Sequence, residues 1–196
     1  MKLVVDLRLI NASGIGTYLK NVFPALIPHF EHVVVLGSKD EILKFPWADT
    51  VEVIEFASKI YYFFEQIEYV YRIPKCDIFW CPHFNAPLLP IKAKKIVVTI
   101  HDVNHLAKEE DFSFVVKLWA KILYRNASKK AAAILTVSNF SITEISKHLH
   151  IGNEKIHLVY GGVNEELFLN LETKNFNLAL PEKYLLYVGN VKPHKN

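Results

Sequence analysis

The feature that most constrains this chain is an alternation that runs through most of its 196 residues. Short, β-branched, apolar runs take turns with longer segments of helical period. Residues 3–7, 32–36, 51–56, 77–81, 96–100, 132–137 and 155–160 read as strands. Residues 17–30, 59–73, 112–130 and 142–149 read as helices. The first helix shows Leu19, Val22, Phe23, Leu26 and Ile27 at helical spacing, the pattern of one buried face. Pro24 and Pro28 are expected to kink it or end it early. Ser138 or Asn139 is expected to cap the last helix. Strands alternating with helices build a parallel sheet covered on both faces. With right-handed crossovers this is an α/β, Rossmann-like, doubly wound domain. Ligands of such sheets sit beyond the carboxyl ends of the strands, so the loops after Leu7, Cys81, Ile100, Val137 and Tyr160 are expected to open on one edge.

Composition removes several classes. Net charge is +3, without the dominant basic face of a dedicated nucleic-acid binder. The early interruption by Asp6 and Arg8 argues against a signal peptide, and no stretch reaches the ~20 apolar residues of a membrane span. Cys76 and Cys81 read as reduced thiols of a cytoplasmic protein. With His83 they offer three metal ligands, one short of a structural zinc set, and no metal is expected.

Four loops carry chemistry. Asn11-Ala12-Ser13-Gly14-Ile15-Gly16-Thr17 joins the first strand to the first helix. Its glycines let a ligand approach the backbone, and the helix start behind them suits a phosphate. A plain strand-to-helix turn is the simpler reading of that pair alone. The absence of a third glycine argues against a dinucleotide fingerprint. Thr99-Ile100-His101-Asp102 ends a strand with groups that can bind sugar hydroxyls or tune a proton. In Pro82-His83-Phe84-Asn85-Ala86-Pro87, prolines hold His83 and Asn85; a rigid surface loop explains it as well. Ser138 in Val137-Ser138-Asn139 is a helix cap that also faces the expected cleft.

In order along the chain, these loops resemble the family 4 retaining glycosyltransferases. The resemblance is carried by Val5-Asp6-Leu7-Arg8 with Gly14-Ile15-Gly16-Thr17-Tyr18, by the 82–87 loop, by Thr99-Ile100-His101-Asp102 and by Leu135-Thr136-Val137-Ser138-Asn139-Phe140-Ser141. Tyr160-Gly161-Gly162-Val163-Asn164 with Phe168, and Leu186-Tyr187-Val188-Gly189 with Pro193-His194-Lys195-Asn196, complete it. Each motif is weak alone; six in order are specific. The chain departs from the family at Asn164, where Asp is usual, and at Asn190 and His194, where Arg is common.

The resemblance implies the N-terminal half of a GT-B fold, in which two Rossmann-like domains face each other. It implies an acceptor-side domain at 1–163, a connector at 164–182, and at 183–196 the first strand and loop of a donor-binding domain supplied in cis or in trans. His101 and Asp102 are the catalytic candidates. Gly14, Ile15, Gly16, His83, Asn85, Ser138 and Lys195 are the candidates for holding acceptor or donor. A nucleotide sugar is expected as substrate, with no cofactor, and a glycan or lipid-linked molecule as acceptor. Alone, the chain is expected to be inactive. A non-catalytic partner of the same fold is the alternative, and a flavodoxin-like or NAD-binding protein has less support.

One segment raises a membrane. Lys117, Lys121, Arg125 and Lys129 recur every fourth residue, and no acid falls between Ser113 and Lys130. At ~100° per residue the row drifts only ~40° per step and forms a basic stripe. Two readings stand side by side. In one, the neighbouring apolar residues face the sheet and the lysines face water. In the other, the stripe and the aromatic run Tyr61-Tyr62-Phe63-Phe64 rest on the anionic inner face of a membrane.

Overall fold

The computed structural model describes residues 1–56, 58–107, 112–162 and 181–186. The chain divides into two compact units, Met1–Val163 and Asn164–Asn196. In the first, the strands are β1 (Lys2–Asp6), β2 (His32–Gly37), β3 (Glu52–Glu55), β4 (Cys76–Cys81), β5 (Ala93–Thr99), β6 (Ala133–Thr136) and β7 (Ile156–Leu158). The helices are α1 (Ser13–Leu26), α2 (Lys39–Ile42), α3 (Phe63–Arg72), α4 (Asn104–Ala107), α5 (Phe114–Lys130) and α6 (Asn139–Leu149). All the strand pairs are parallel. The order is β3-β2-β1-β4-β5-β6-β7, the Rossmann-like arrangement that the alternation predicts. The direction in which successive strands add to the sheet reverses between β1 and β4, which opens a crevice at their carboxyl ends.

Crossover handedness decides which face each helix covers. The step from β1 to β2 runs one way along the sheet and lays α1 on one face. The steps from β3 to β4 and from β5 to β7 run the other way and lay α3, α5 and α6 on the opposite face. Two cores follow. Leu3, Val5, Val33, Val35 and Trp80 pack with Leu19 and Phe23 of α1. Val4, Val34, Phe79, Val98 and Ile134 pack with Tyr69, Tyr124 and Ile145 of α3, α5 and α6. Buried on both sides, β2 is a continuous apolar run, His-Val-Val-Val-Leu-Gly, with everything after His32 buried. After β7 the chain returns toward α1, where Asn21 Nδ2 donates to the Gly161 carbonyl at 3.3 Å.

The differences from expectation have local causes. Gly14, Ile15 and Gly16 lie within the first turn of α1 instead of ahead of it, because Gly16 N–H already donates to the Ala12 carbonyl at 2.9 Å. The helix continues past Pro24 to Leu26 and gives way to a 3-10 turn, Ile27–His29, led by Pro28. The strand expected at 184–188 is not formed at 184–186, which carry no regular structure and join no ladder. Its last residues, together with Gly189, Lys195 and the connector through Leu180, lie outside the described residues.

The two glycines of α1 have different reasons to be glycine. A Cβ on Gly16 would collide with the Ile10 carbonyl, its carbon only 2.9 Å away. A Cβ on Gly14 would meet no heavy atom within 4 Å beyond its own helix backbone and chain neighbours. Gly16→Ala is therefore expected to cost about 1–3 kcal/mol through overpacking against rigid backbone. Gly14→Ala is expected to stabilise by about 0.5–1 kcal/mol, as alanine does in a helix. Urea unfolding of both variants measures the contrast.

Candidate functional site

The parallel register brings Gly14, His83, His101 and Ser138 to the same carboxyl edge, each following the end of a strand. At the start of α1 the cap residue Ala12 has no side-chain hydrogen bond to give. The first-turn N–H groups therefore lack a side-chain partner, and exposed Gly14 leaves the approach to them open. Ile15 turns its side chain into the α1 core, so what it offers a ligand is backbone.

His101 follows β5 at the middle of this edge and is held on several sides. Its Nε2 lies 3.0 Å from the Pro82 carbonyl, and its ring stands edge-on to Tyr18 with centroids 5.1 Å apart. Ser141 Oγ donates to the His101 carbonyl at 2.9 Å, and the Tyr124 hydroxyl donates to that of Asp102 at 3.1 Å. A carbonyl only accepts, so Nε2 carries the hydrogen and Nδ1 of the neutral ring is an acceptor. Burial lowers the His101 pKa, against the opposing pull of Pro82 and Asp102, so the neutral form prevails near pH 7. Asp102 is exposed, and its Oδ1 accepts from Asn104 N–H at 3.0 Å at the start of α4. Ser138 caps α6, its Oγ accepting from Ser141 N–H at 3.0 Å.

His83 and Asn85 are turned inward. Asn85 N–H donates to His83 Nδ1 at 3.2 Å, so the neutral ring has its hydrogen on Nε2, which is buried without a partner. Asn85 Nδ2 donates to Glu65 Oε2 at 2.6 Å, and its Oδ1 accepts from Gln66 Nε2 at 3.3 Å. Both polar atoms of the amide are engaged inside the domain.

These contacts belong to a buried network that the sequence reading missed. Arg8 Nε donates to Asp6 Oδ1 at 2.9 Å, and Nη2 donates to Asp6 Oδ2 and Glu65 Oε1, each at 2.6 Å. Nη1 donates to the Ser58 carbonyl at 3.0 Å, and the guanidinium lies over the Phe56 ring at 4.2 Å. The Tyr69 hydroxyl donates to Asp6 Oδ2 at 2.7 Å. The Asp6, Arg8 and Glu65 side chains are 1%, 5% and 0% exposed. Burial alone would raise the Asp6 pKa, but the charge and hydrogen bonds of Arg8 outweigh it and hold the value at about 2. Burial raises the Glu65 pKa against the same arginine and Asn85. The one available signal was the spacing of Glu65, Gln66 and Tyr69 in α3, which places polar residues together on one helix face.

Asp6, Cys81 and His83 also come within ligand distance of one another. The arrangement suits a metal poorly. Arg8 already neutralises Asp6, and Cys81 Sγ donates to the His83 carbonyl at 3.3 Å as a thiol. Burial pushes that thiol well above its ordinary pKa, away from the thiolate that a metal requires.

Comparison with known proteins gives the family. The sequence model of Glycosyltransferase Family 4 matches residues 12–167, and the chain belongs to that family. A 114-residue stretch is 31% identical to the O-antigen chain mannosyltransferase RfbU of Salmonella typhimurium. That stretch covers 58% of this chain and 29% of the relative.

Two outcomes test the network. Arg8→Met leaves Asp6 and Glu65 buried without their cation and is expected to cost about 3–5 kcal/mol, read by urea unfolding. His83 gives a pH signature. Burial lowers its pKa from 6.5 to about 4, so between those values the unfolded chain binds the extra proton. Stability is then full above pH 6.5 and is lost as pH falls toward 4, by about 3 kcal/mol for this shift. His83→Asn keeps an acceptor for Asn85 N–H and is expected to flatten most of that slope in melts across pH 4–7. The lowered values of His101 and His105 act in the same direction and leave a remainder.

Proposed function

We propose that this chain forms the acceptor-side half of a retaining glycosyltransferase that moves a sugar, a hexose in the first instance, from a nucleotide-sugar donor to a glycan or lipid-linked acceptor. The observation that carries the reading is the placement of His101. A fixed, neutral imidazole, its Nδ1 without a hydrogen-bond partner among the described residues, sits on the carboxyl edge between the open start of α1 and the capped start of α6. In this reading Nδ1 accepts from a hydroxyl of the reacting sugar, and the N–H groups around Gly14 meet the donor's phosphates. No enzymatic nucleophile is invoked. Rate comes from holding donor and acceptor in line and from stabilising the charge that develops on the leaving phosphate.

The name of the Salmonella relative makes mannose the first sugar to try. Among the described residues, the α1 start is the contact offered to a nucleotide diphosphate, and such a dipole end contributes only ~0.3–1 kcal/mol. The reading therefore gives most of the nucleotide affinity to a second, donor-binding domain. Calorimetric titration of the chain alone with GDP- and UDP-hexoses is expected to show little heat.

The test uses the enzyme that contains this chain together with its donor-binding domain. His101→Gln is expected to lower kcat/KM by ~10²-fold or more with an unchanged melting temperature. Gly14→Ala, which the fold tolerates, is expected to raise KM for the nucleotide sugar. Full activity in His101→Gln overturns the assignment, and tight nucleotide-sugar binding by the chain alone places the donor site in the wrong half.

A further inference from the structure

Helix α3 is inside out. Its buried residues are Glu65, Gln66 and Tyr69, the polar members of the network. Its outward residues are Phe63, Phe64, Ile67 and Tyr71, which are 68%, 73%, 38% and 81% exposed. At ~100° per residue these four fall within an arc of about 100°. Helix α5 opens the same way. Phe114, Val115, Leu118 and Ile122 are 76%, 73%, 50% and 42% exposed, and their spacing repeats that of the α3 stripe. Of the two readings of α5, the one in which its apolar residues face the sheet holds for Tyr124 and not for Leu118 and Ile122, because small Ala120 and Ala127 with Leu123 and Tyr124 already fill that face. An apolar surface of this extent, spread over two helices, marks an interaction site.

Between the two helix starts lies a pocket of about 500 Å³. Its walls include Tyr61, Phe63, Phe84, Val115, Val116 and Trp119. His105 and Trp119 complete the lining with ring carbon, and their Nδ1 and Nε1 are buried with no hydrogen-bond partner among the described residues. A basic row, Lys117, Lys121, Arg125 and Lys129, runs along α5 beside this stripe and past its end, with no acid from Phe114 to Lys130. The acids Glu109, Glu110 and Asp111 precede it in the sequence and lie outside the described residues.

We propose that the outward stripes of α3 and α5 dock this chain on an anionic lipid bilayer, with the pocket between them taking one hydrocarbon chain. Aromatic and aliphatic side chains beside a basic helix end are what an interfacial surface needs, the first entering the acyl boundary and the second meeting anionic headgroups. A mostly apolar cavity of this volume has room for a single flexible chain. Phe84 and His105 join the pocket to the loops after β4 and β5, so a lipid held there points its head toward the edge that carries His101. The consequence that the acceptor is itself lipid-linked rests on the proposed transfer; the docking does not.

The test measures sedimentation of the purified chain with vesicles of phosphatidylcholine alone and with phosphatidylglycerol added. Binding is expected to need the anionic lipid and to fall about tenfold or more for each phenylalanine lost from the apolar layer in Phe63→Ser/Phe64→Ser. Val115→Ser/Leu118→Ser on the other helix is expected to act alike. Both pairs are exposed, and near-ultraviolet circular dichroism checks their fold. Vesicles with brominated acyl chains are expected to quench Trp119, with Trp119→Phe as the control. Dodecyl phosphate is expected to shift the Trp119 emission where inorganic phosphate does not. Undiminished vesicle binding by both double variants, or no vesicle binding by the native chain, overturns the proposal. So does a concentration-dependent dimer that the same substitutions abolish, which would make a second copy the occupant. In the enzyme that contains this chain together with its donor-binding domain, sugar transfer without vesicle binding sinks the docking alone, whereas vesicle binding without transfer sinks only the transferase reading.

Discussion

The guanidinium of Arg8, wedged between Asp6 and Glu65, is the contact on which the rest of this domain depends. It joins the carboxyl end of β1 to α3, residues some 57 positions apart, and through Glu65 and Asn85 it reaches the loop after β4. Burying one cation with two carboxylates is expensive, since each ion loses its water. The cost is met by saturation. Arg8 has five donor hydrogens, and its partners are two carboxylates, a backbone carbonyl and a tyrosine oxygen. Tyr69 and Asn85 supply neutral donors to the carboxylate oxygens that remain. Such a cluster tolerates few alternative arrangements, because any shift that frees one oxygen leaves a buried charge exposed to an apolar core.

That rigidity is handed on to the carboxyl edge. The 82–87 loop is fastened from below by Glu65 and Gln66, and the Leu88 N–H donates to Gln66 Oε1 at 2.7 Å. The same loop presents the Pro82 carbonyl that orients His101. A side chain just past β5 thus owes its tautomer to a backbone oxygen after β4, and that oxygen owes its position to an ion cluster at the end of β1. The contacts are contiguous, and each is a hydrogen bond or a covalent step. The prolines of the loop do part of this work as expected, but the amide of Asn85, read in the sequence as a ligand contact, is a fastening.

The sheet was legible in the sequence because strands buried on both faces must be apolar throughout, and residues 33–36 or 3–5 admit no other reading. Helix ends were less legible. The α1 start depended on whether a backbone hydrogen bond forms at Gly16, which two glycines do not reveal. Of the candidate site, the positions of Gly14, His101 and Ser138 on one edge followed from parallel topology. The inward turn of His83 and Asn85 did not, because it depends on Glu65, and α3 hides its polarity. An amphipathic helix seen in sequence shows two faces and does not say which is buried; convention assigns the apolar one. Here the apolar face lost, because Arg8 and Asp6 beneath α3 require polar partners, which Glu65 and Tyr69 supply, while Gln66 on the same face holds Asn85 and Leu88. Asp6 and Arg8 were visible as charges inside a strand-like run, yet their partner lay too far along the chain for spacing to find.

The inversion of α3 also explains how one domain keeps two chemistries apart. The α1 face is packed with Leu19, Phe23 and Trp80, and at its edge it shows little beyond the bare first turn at Gly14, a place for negative charge. The opposite face spends its polar groups inward on the ion cluster, and what remains for the surface between α3 and α5 is hydrocarbon. His101 stands at the seam. Tyr18 of the α1 face touches one side of its ring, and the Pro82 carbonyl, from the loop that leads to the apolar pocket, takes its Nε2 hydrogen. A doubly wound sheet makes this separation geometrically simple, since right-handed crossovers in opposite directions must lie on opposite faces. Only at the carboxyl edge, where the strands end, do the two faces meet, and His101 is held there by groups from both sides, Tyr18 from one and the Pro82 carbonyl from the other.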